Sequence, residues 1–352
     1  MKARKILAVV LALVLSIACL AGCQRQAGDN ADKTPGAADT NNASNNGGNS
    51  GQQAVAYPTG TVTINCAFGA GGDTDTVARI TAEYLTKYFG ETFVVVNVTG
   101  AGGNTCAIEV MGKEPDGYNL MFTGDTAFAT AVGAIDYAYK DAFQYIGTVG
   151  KAVPNVLCCL KDNKYGWTSM EDVLAYIEEH PDEITISDVA GTTTSMLPVV
   201  MNLNGYHVRR LDVGSGGADR WAAMLGGQVD LTAISYMSAA EYIKSGDVIA
   251  LCNQDPGDGM AAFDDSIPNV NAFGLDNGYQ VKYYSMFAPA DTPQEIVDIL
   301  DGALAEMTQD PAFLDALLNA YCTGEHLSPA EAIEYDSAQI ERYAEFAEYL
   351  FS

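Results

Sequence analysis

Basic residues are scarce in this 352-residue sequence, which has 18 Lys and Arg against 45 Asp and Glu and a formal net charge of −27. Nucleic-acid binding needs a basic surface, so this charge excludes that class of function. An anionic membrane surface would also repel the chain, so a membrane attachment would have to be covalent. With 48% hydrophobic residues, the sequence still has enough apolar side chains for one or two globular domains.

Motifs typical of enzymes and of metal or redox sites are also missing. The sequence contains no G-x-S-x-G, no G-x-x-x-x-G-K-[ST] and no C-x-x-C, and residues 100–105 do not complete a G-x-G-x-x-G. Its three histidines, at positions 180, 207 and 326, have no partner spacing. We therefore predict that the protein is not an enzyme and uses no cofactor or metal.

The first residues are typical of an exported bacterial lipoprotein. Positive charges precede an apolar run, residues 6–20, that is too short for a spanning helix, so residues 1–22 are predicted to be a signal peptide. The run ends in Leu-Ala-Gly-Cys, which resembles the bacterial lipobox and makes Cys23 the predicted lipidation site. The alternative is an ordinary signal peptide with a chance cysteine. Residues 23–56 hold no aromatic residue and many Gly, Asn and Gln, so they are predicted to be the lipidated cysteine and a flexible tether.

Cysteine spacing is less informative in the remaining chain. Exported proteins often form disulfides, but a body of this size does not need them, and the pairing stays open. Cys66 lies in an apolar run and is predicted to be a buried thiol. The cysteines concerned are Cys66, Cys106, Cys158, Cys159, Cys252 and Cys322.

The body of the chain alternates between strand-like and helix-like segments, which favours parallel β-sheets covered by helices. Two long apolar stretches, 145–160 and 279–287, are predicted to carry the chain between two lobes. The first lobe is predicted to comprise 57–160 plus 283–352, closed by C-terminal helices, and the second lobe 161–282. The fold class is therefore α/β, with two Rossmann-like lobes and a ligand cleft between them.

Three glycine-rich turns follow predicted strands, at 69–72, 100–103 and 214–217. In open α/β sheets, ligands bind where strands lead into helices. Glycine lets backbone N–H groups approach a ligand closely, and a helix N-terminus adds partial positive charge. None of the three turns contains Lys or Arg, so we expect a carboxylate held by backbone amides that no basic side chain touches. The alternative is that these glycines only form tight turns.

Small hydroxyl residues cluster near these turns and suit a carboxylate or hydroxy-acid ligand, although each also suits a helix N-cap. Asp73 and Asp75 each suit two roles, accepting from a ligand amine or hydroxyl and capping the first helix. Capping is the first expectation for Asp73, and bracing the loop is a further alternative for Asp75. The hydroxyl residues are Thr74, Thr123, Thr126, Thr192, Thr193, Thr194, Ser195 and Ser215.

Residues 62–79, VTINCAFGAGGDTDTVAR, resemble the opening of the solute receptors of tripartite tricarboxylate transporters, the Bug-type proteins. Further motifs of that family are matched by Gly100–Gly103 after Asn97, by PDGY with Leu120, by LGGQVD and by FAPADTP. The resemblance covers about residues 57–350. It implies a type II periplasmic-binding-protein fold that encloses a small carboxylate between its lobes and passes it to membrane permease subunits.

Carried onto this chain, the family's ligand contacts fall on both lobes, and the turns add Gly102, Thr126 and Thr194 as candidates. The chain departs from the family at Ala67, at Val98-Thr99 and at Ser215, where relatives have Pro, Arg-Pro and often Lys. Losing these cations makes a monocarboxylate, amino acid or neutral ligand more plausible than a tricarboxylate. The contacts implied by the family are Phe68, Gly71, Gly72, Asp75, Gly103, Thr123, Thr193, Gly216 and Gly217.

The resulting prediction is a lipid-anchored extracytoplasmic receptor, at the outer face of the bacterial cell membrane or in the periplasm. It would capture a di- or tricarboxylate or related organic acid for a tripartite tricarboxylate-type transporter. A sensory module that signals to a membrane kinase or chemoreceptor is the alternative, because closure around a ligand would serve both roles. A surface hydrolase on the same fold is a third and weaker hypothesis.

Overall fold

The computed structural model describes residues 55–124, 126–189, 192–214, 216–257 and 259–350. The predicted signal peptide 1–22, the predicted lipidation site Cys23 and all but the last two residues of the predicted tether 23–56 lie outside these ranges. Within the described ranges, no helix is long and apolar enough to cross a membrane.

The described chain contains eleven strands, which alternate with helices as predicted. They are β1 (Val62–Cys66), β2 (Phe93–Asn97), β3 (Asn119–Thr123), β4 (Phe143–Ala152), β5 (Asn155–Leu160), β6 (Thr185–Asp188), β7 (Arg209–Asp212), β8 (Leu231–Ser235), β9 (Val248–Asn253), β10 (Tyr283–Pro289) and β11 (Cys322–Thr323).

Twelve α-helices lie in the same described ranges, together with short 3-10 turns. They are α1 (Asp73–Phe89), α2 (Asn104–Met111), α3 (Thr126–Ala131), α4 (Tyr139–Ala142), α5 (Met170–Glu179), α6 (Met196–Leu203), α7 (Gly217–Leu225), α8 (Tyr236–Ser245), α9 (Gln294–Met307), α10 (Pro311–Asn319), α11 (Pro329–Ala344) and α12 (Ala347–Leu350).

Local sequence explains where several helices begin and end. Gly90 adopts a left-handed conformation that ends α1. A capping box of Ser328 and Glu331 precedes α11, and the Glu331 carboxylate accepts from both the backbone and the hydroxyl of Ser328. Ser169 and Asp172 form a second capping box before α5.

The strands form two sheets, whose orders are β2-β1-β3-β10-β4-β11 in the first sheet and β7-β6-β8-β5-β9 in the second. The first five strands of the first sheet correspond in order to the five strands of the second. Strands β1 and β6 are parallel to both of their neighbours, whereas β10 and β5 are antiparallel to both of theirs. Each antiparallel strand is the one that arrives from the other lobe, so its direction follows from the crossing.

The chain passes from the first sheet to the second between β4 and β5, at Val153 and Pro154. Strand β5 therefore pairs in the second sheet, although the predicted first lobe extends to residue 160. The stretch 145–160 has the composition of one long strand, but Pro154 has no N–H to donate and interrupts the pairing.

The C-terminal helices divide between the two cores instead of closing the first lobe alone. Leu300 of α9 and Phe313 of α10 are buried with the β1 and β3 side chains. Tyr343 and Phe346, at the end of the chain, are buried with Leu157 of the second sheet. Helix α11, whose Ala332 is buried among first-lobe residues, and the turn that follows it therefore tie the first lobe to the core of the second.

Candidate functional site

A cavity of about 500 Å³, open to solvent, lies where the two sheets face each other. Both lobes and both crossing segments contribute to its wall. The lining residues are Phe68, Gly69, Gly72, Asp73 and Thr74 from the first lobe, Asn155 and Lys282 from the crossings, and Val189, Thr192, Thr193, Thr194, Gly216, Gly217, Arg220 and Ser235 from the second lobe.

Three helix starts point into this cavity. Gly72 precedes α1, Thr192 precedes a 3-10 turn that leads into α6, and Gly216 precedes α7. No side chain of these three residues caps the amides of the first turn. Because first-turn amides lack helical partners and lie at the positive end of the helix dipole, the cavity presents several donors to an anion.

The first glycine turn, residues 69–72, uses two of its four amides within the chain. The Gly71 amide donates to Asp75 Oδ2 at 2.9 Å, and the Gly72 amide donates to Gly69 O at 3.3 Å. Gly71 has a φ of 79°, which requires glycine for the turn itself. Of the two predicted contacts in this turn, Gly72 lines the cavity, whereas Gly71 is exposed and does not line it.

Asp75 braces this turn rather than facing the cavity. Its carboxylate accepts from Asn97 Nδ2 at 2.8 Å and from Arg79 Nε at 3.0 Å, in addition to the Gly71 amide. Burial alone would raise the pKa of Asp75, but these hydrogen bonds lower it below the ordinary value. The bracing role was one of the alternatives that the sequence left open.

The second glycine turn supports the wall without forming it. Gly102 and Gly103 have φ angles of 61° and 100°, and neither lines the cavity. A Cβ on Gly103 would lie 3.3 Å from Ala67 Cβ and 3.8 Å from the ring of Phe68. These glycines therefore let the chain pack closely under Phe68, the predicted contact that does line the cavity.

Thr123 and Thr126 lie apart from the interlobe cavity. Thr123 is buried at the end of β3. The Thr126 hydroxyl donates to Asp336 Oδ2 at 2.7 Å, which also accepts from the Tyr145 hydroxyl at 2.6 Å. This polar cluster joins α3, β4 and α11 beside a second, smaller cavity.

The predicted residues of the second lobe all lie in the wall of the interlobe cavity: Thr193, Thr194, Gly216 and Gly217. The Thr194 hydroxyl also contacts its own loop, at 3.2 Å from the Val189 amide. The structure thus brings together six of the twelve predicted ligand contacts, counting Phe68 and Gly72 from the first lobe.

Two basic side chains, Arg220 and Lys282, line the cavity, whereas the sequence led us to expect a carboxylate that no basic side chain touches. Arg220 lies one helical turn after Gly216 on α7, and its guanidinium donates to Ala233 O at 2.9 Å. Lys282 lies beside β10 in the return crossing. Arg220 follows Gly216 by one helical turn, so helical spacing in the sequence could have placed it beside this glycine. Lys282 is brought into the wall only by the fold.

Lys282 forms an ion pair with Asp73 at the start of α1. Lys282 Nζ lies 2.7 Å from Asp73 Oδ2, which also accepts from the Tyr284 hydroxyl at 2.8 Å. Burial alone would raise the pKa of Asp73, but the Lys282 ammonium and both hydrogen bonds outweigh it and lower the pKa to about 2. Asp73 is therefore ionised at neutral pH and contributes a negative charge to the wall.

The described cysteines offer no reactive thiolate. All six are unpaired and buried, which confirms the prediction of a buried thiol for Cys66. Burial raises the pKa of Cys66, Cys106, Cys159 and Cys252 to about 12. Because the thiolate is the nucleophilic form, these side chains act as apolar core groups.

Comparison with known proteins identifies the family. Residues 77–343 match the model of the tripartite tricarboxylate transporter family receptor. The chain therefore belongs to this family of extracytoplasmic solute receptors.

Relatives with similar sequences are distant but cover most of the chain. A protein of Agrobacterium vitis, from the ttuE-ttuC' intergenic region, is 26% identical over 297 residues, with 82% of this chain and 84% of the relative covered. BugT of Bordetella pertussis is 24% identical over 296 residues, with 82% and 88% covered.

Solved structures agree with the fold predicted from the sequence. The periplasmic binding protein BugD has a TM-score of 0.74 and 25% identity, with 84% of this chain and 98% of BugD covered. A protein of R. palustris solved with adipate has a TM-score of 0.76 and 24% identity, covering 84% and 98%. MatC of Rhodopseudomonas palustris, solved with malate, has a TM-score of 0.73 and 22% identity, covering 83% and 100%. The two-lobed periplasmic-binding-protein fold is thereby confirmed.

Proposed function

We propose that the protein captures a small organic acid in the interlobe cavity and delivers it to the membrane subunits of a tripartite tricarboxylate-type transporter. The observation that carries the proposal is the convergence of three helix starts with Arg220 and Lys282 on one cavity. Amides and cations together favour a carboxylate, and the hydroxyls of Thr192 and Thr193 supply further hydrogen bonds.

The arrangement of the lobes suits capture by closure. The wall is divided between two lobes that are joined at Pro154 and beside β10, so a bound acid would bridge the lobes and favour the closed form. The adipate and malate of the two R. palustris proteins are consistent with this class of ligand.

Membrane attachment through a lipid on Cys23 is a separate part of the proposal. It is supported by the lipobox-like sequence that ends the predicted signal peptide and by the polar composition of the predicted tether. One lipidated cysteine would hold the receptor near its transporter without inserting the folded body. Labelling with radioactive palmitate should mark the wild-type protein, while Cys23→Ala should stay unlabelled and leave the membrane fraction. Labelling of the variant would contradict Cys23 as the site.

Titration calorimetry of the full-length chain against mono-, di- and tricarboxylates tests the receptor function. The expected result is saturable binding of at least one acid with one site per chain. Binding of neutral sugars or peptides alone would contradict it. Deleting the neighbouring permease genes in the native host should then abolish uptake of that acid, whereas uptake that persists would separate the receptor from the transporter.

A further inference from the structure

Asp73 is the feature of the cavity wall that capture of a carboxylate does not require. Among the described lining residues, two side chains are cationic, Arg220 and Lys282, and one is a carboxylate, Asp73. An acid placed next to Asp73 would be repelled, since both groups are negative. A wall built only for carboxylates would leave this position neutral.

The two oxygens of Asp73 have different surroundings. Oδ2 accepts both the Lys282 ammonium and the Tyr284 hydroxyl, while Oδ1 accepts no hydrogen bond from the described chain. The Asp73 side chain is 16% exposed and borders the cavity. An ionised carboxylate oxygen has lone pairs to offer and can only accept, so it needs a donor.

We propose that the ligand is a small acid that also carries a hydrogen-bond donor, an ammonium or a hydroxyl, and that Asp73 accepts from this donor. The ligand carboxylate then lies toward Arg220 and the starts of the second-lobe helices, away from Asp73. This inference rests on the proposed function and names the class of acid that the receptor selects.

Matched sets of ligands test the proposal on the wild-type, full-length chain. Calorimetry compares propionate, lactate and alanine, then succinate, malate and aspartate, then glutarate, 2-hydroxyglutarate and glutamate. Within the set of the best-fitting length, the hydroxy or amino acid should bind about tenfold more tightly than the unsubstituted acid, as expected for a hydrogen bond to a charged acceptor. Whichever substituted member is preferred identifies the donor.

The outcomes separate this inference from the receptor function. If an unsubstituted acid binds as tightly as its substituted partners, the inference is overturned and the receptor function stands. If no acid of any set or of the wider carboxylate panel binds, the receptor function fails and the inference with it.

The Asp73→Asn variant sharpens the test because it removes the charge and keeps the size. It should lose most of the tenfold preference and change the affinity for the unsubstituted acid less. Asp141→Asn, on an exposed carboxylate of the same lobe, is the matched control and should keep the preference. A preference unchanged in a folded Asp73→Asn protein would contradict the role of Asp73. If that variant does not fold, the ratio of wild-type affinities for the substituted and unsubstituted acids still tests whether the ligand needs a donor.

Discussion

Asp73 and Asp336 each border a cavity, and their surroundings shift their pKa values in opposite directions. Asp73 contacts the Lys282 ammonium, which helps to lower its pKa to about 2. Asp336 accepts from the hydroxyls of Tyr145 and Thr126, and burial raises its pKa above the ordinary value. Hydroxyl residues, a lysine and helix starts border both cavities, so the ion pair that Lys282 forms with Asp73 distinguishes the candidate ligand site from the polar cluster at Asp336.

Removing the charge of Arg220 should produce the largest effect. We expect Arg220→Gln to weaken every acid that the wild type binds by about 10- to 100-fold, as for loss of a hydrogen bond to a charged group. Calorimetry measures this loss. Arg209→Gln is the control, because Arg209 is exposed on β7 and does not line the cavity. Equal affinities for both variants would place the acid outside this cavity.

Asp73→Asn should destabilise the fold by about 2 kcal/mol at pH 7, since the pKa of Asp73 falls from its ordinary 3.8 to about 2. For a lowered pKa, the stabilisation is present above pH 4 and is lost as the pH falls toward 2. Urea unfolding at pH 7 and pH 3 should therefore show a smaller difference from wild type at pH 3. An equal loss of stability at both pH values would show that the effect of Asp73→Asn does not come from the charge of Asp73.

Asp336→Asn should show the opposite pH dependence with a smaller effect, within about 1 kcal/mol. Because the pKa of Asp336 is raised, its protonated form favours folding below the ordinary value, and this advantage is lost as the pH rises through the raised value. The free energy of unfolding of the variant minus that of the wild type should therefore be larger at pH 7 than at pH 4. Glu341→Gln, exposed on the same helix, should show no such trend. If Asp336→Asn instead lost more stability at pH 7 than at low pH, as expected for Asp73→Asn, the two aspartates would not differ in the direction of their pKa shifts.

Gly124→Ala should have the smallest effect, about threefold weaker binding of the acid. A Cβ at Gly124 would lie 2.6 Å from Lys282 Cγ and 3.1 Å from Tyr283 O, so the lysine stem has to move. Gly60→Ala meets no atom within 4 Å and serves as the control in the same calorimetric titration. An unchanged affinity for Gly124→Ala would mean that the position of Lys282 does not matter.

The sequence predicted the alternation of strands and helices, because glycine turns and apolar periodicity are local signals. The lobe that receives β5 was missed, since the interruption at Pro154 is short and the flanking stretches are equally apolar. Residues that depend on chain crossing, above all Lys282, could not be found, because local spacing carries no information about contacts between Asp73 and a residue 209 positions later.

Glycine turns predicted the candidate site only in part. Gly216 and Gly217 line the cavity, but the Gly216 amide donates to Asp219, the Gly71 amide donates to Asp75, and Gly103 makes room for Phe68. Sequence shows where a backbone amide can approach a ligand. It does not show whether the chain itself already uses that amide or needs that space.

The most direct test is a crystal structure of the protein with the acid that binds most tightly. The account predicts the acid between the lobes, with a carboxylate within hydrogen-bond distance of Arg220 or of the amides at Gly217 and Thr193. An acid bound outside this cavity, with the wall of Asp73, Lys282 and Arg220 facing only solvent, would contradict it.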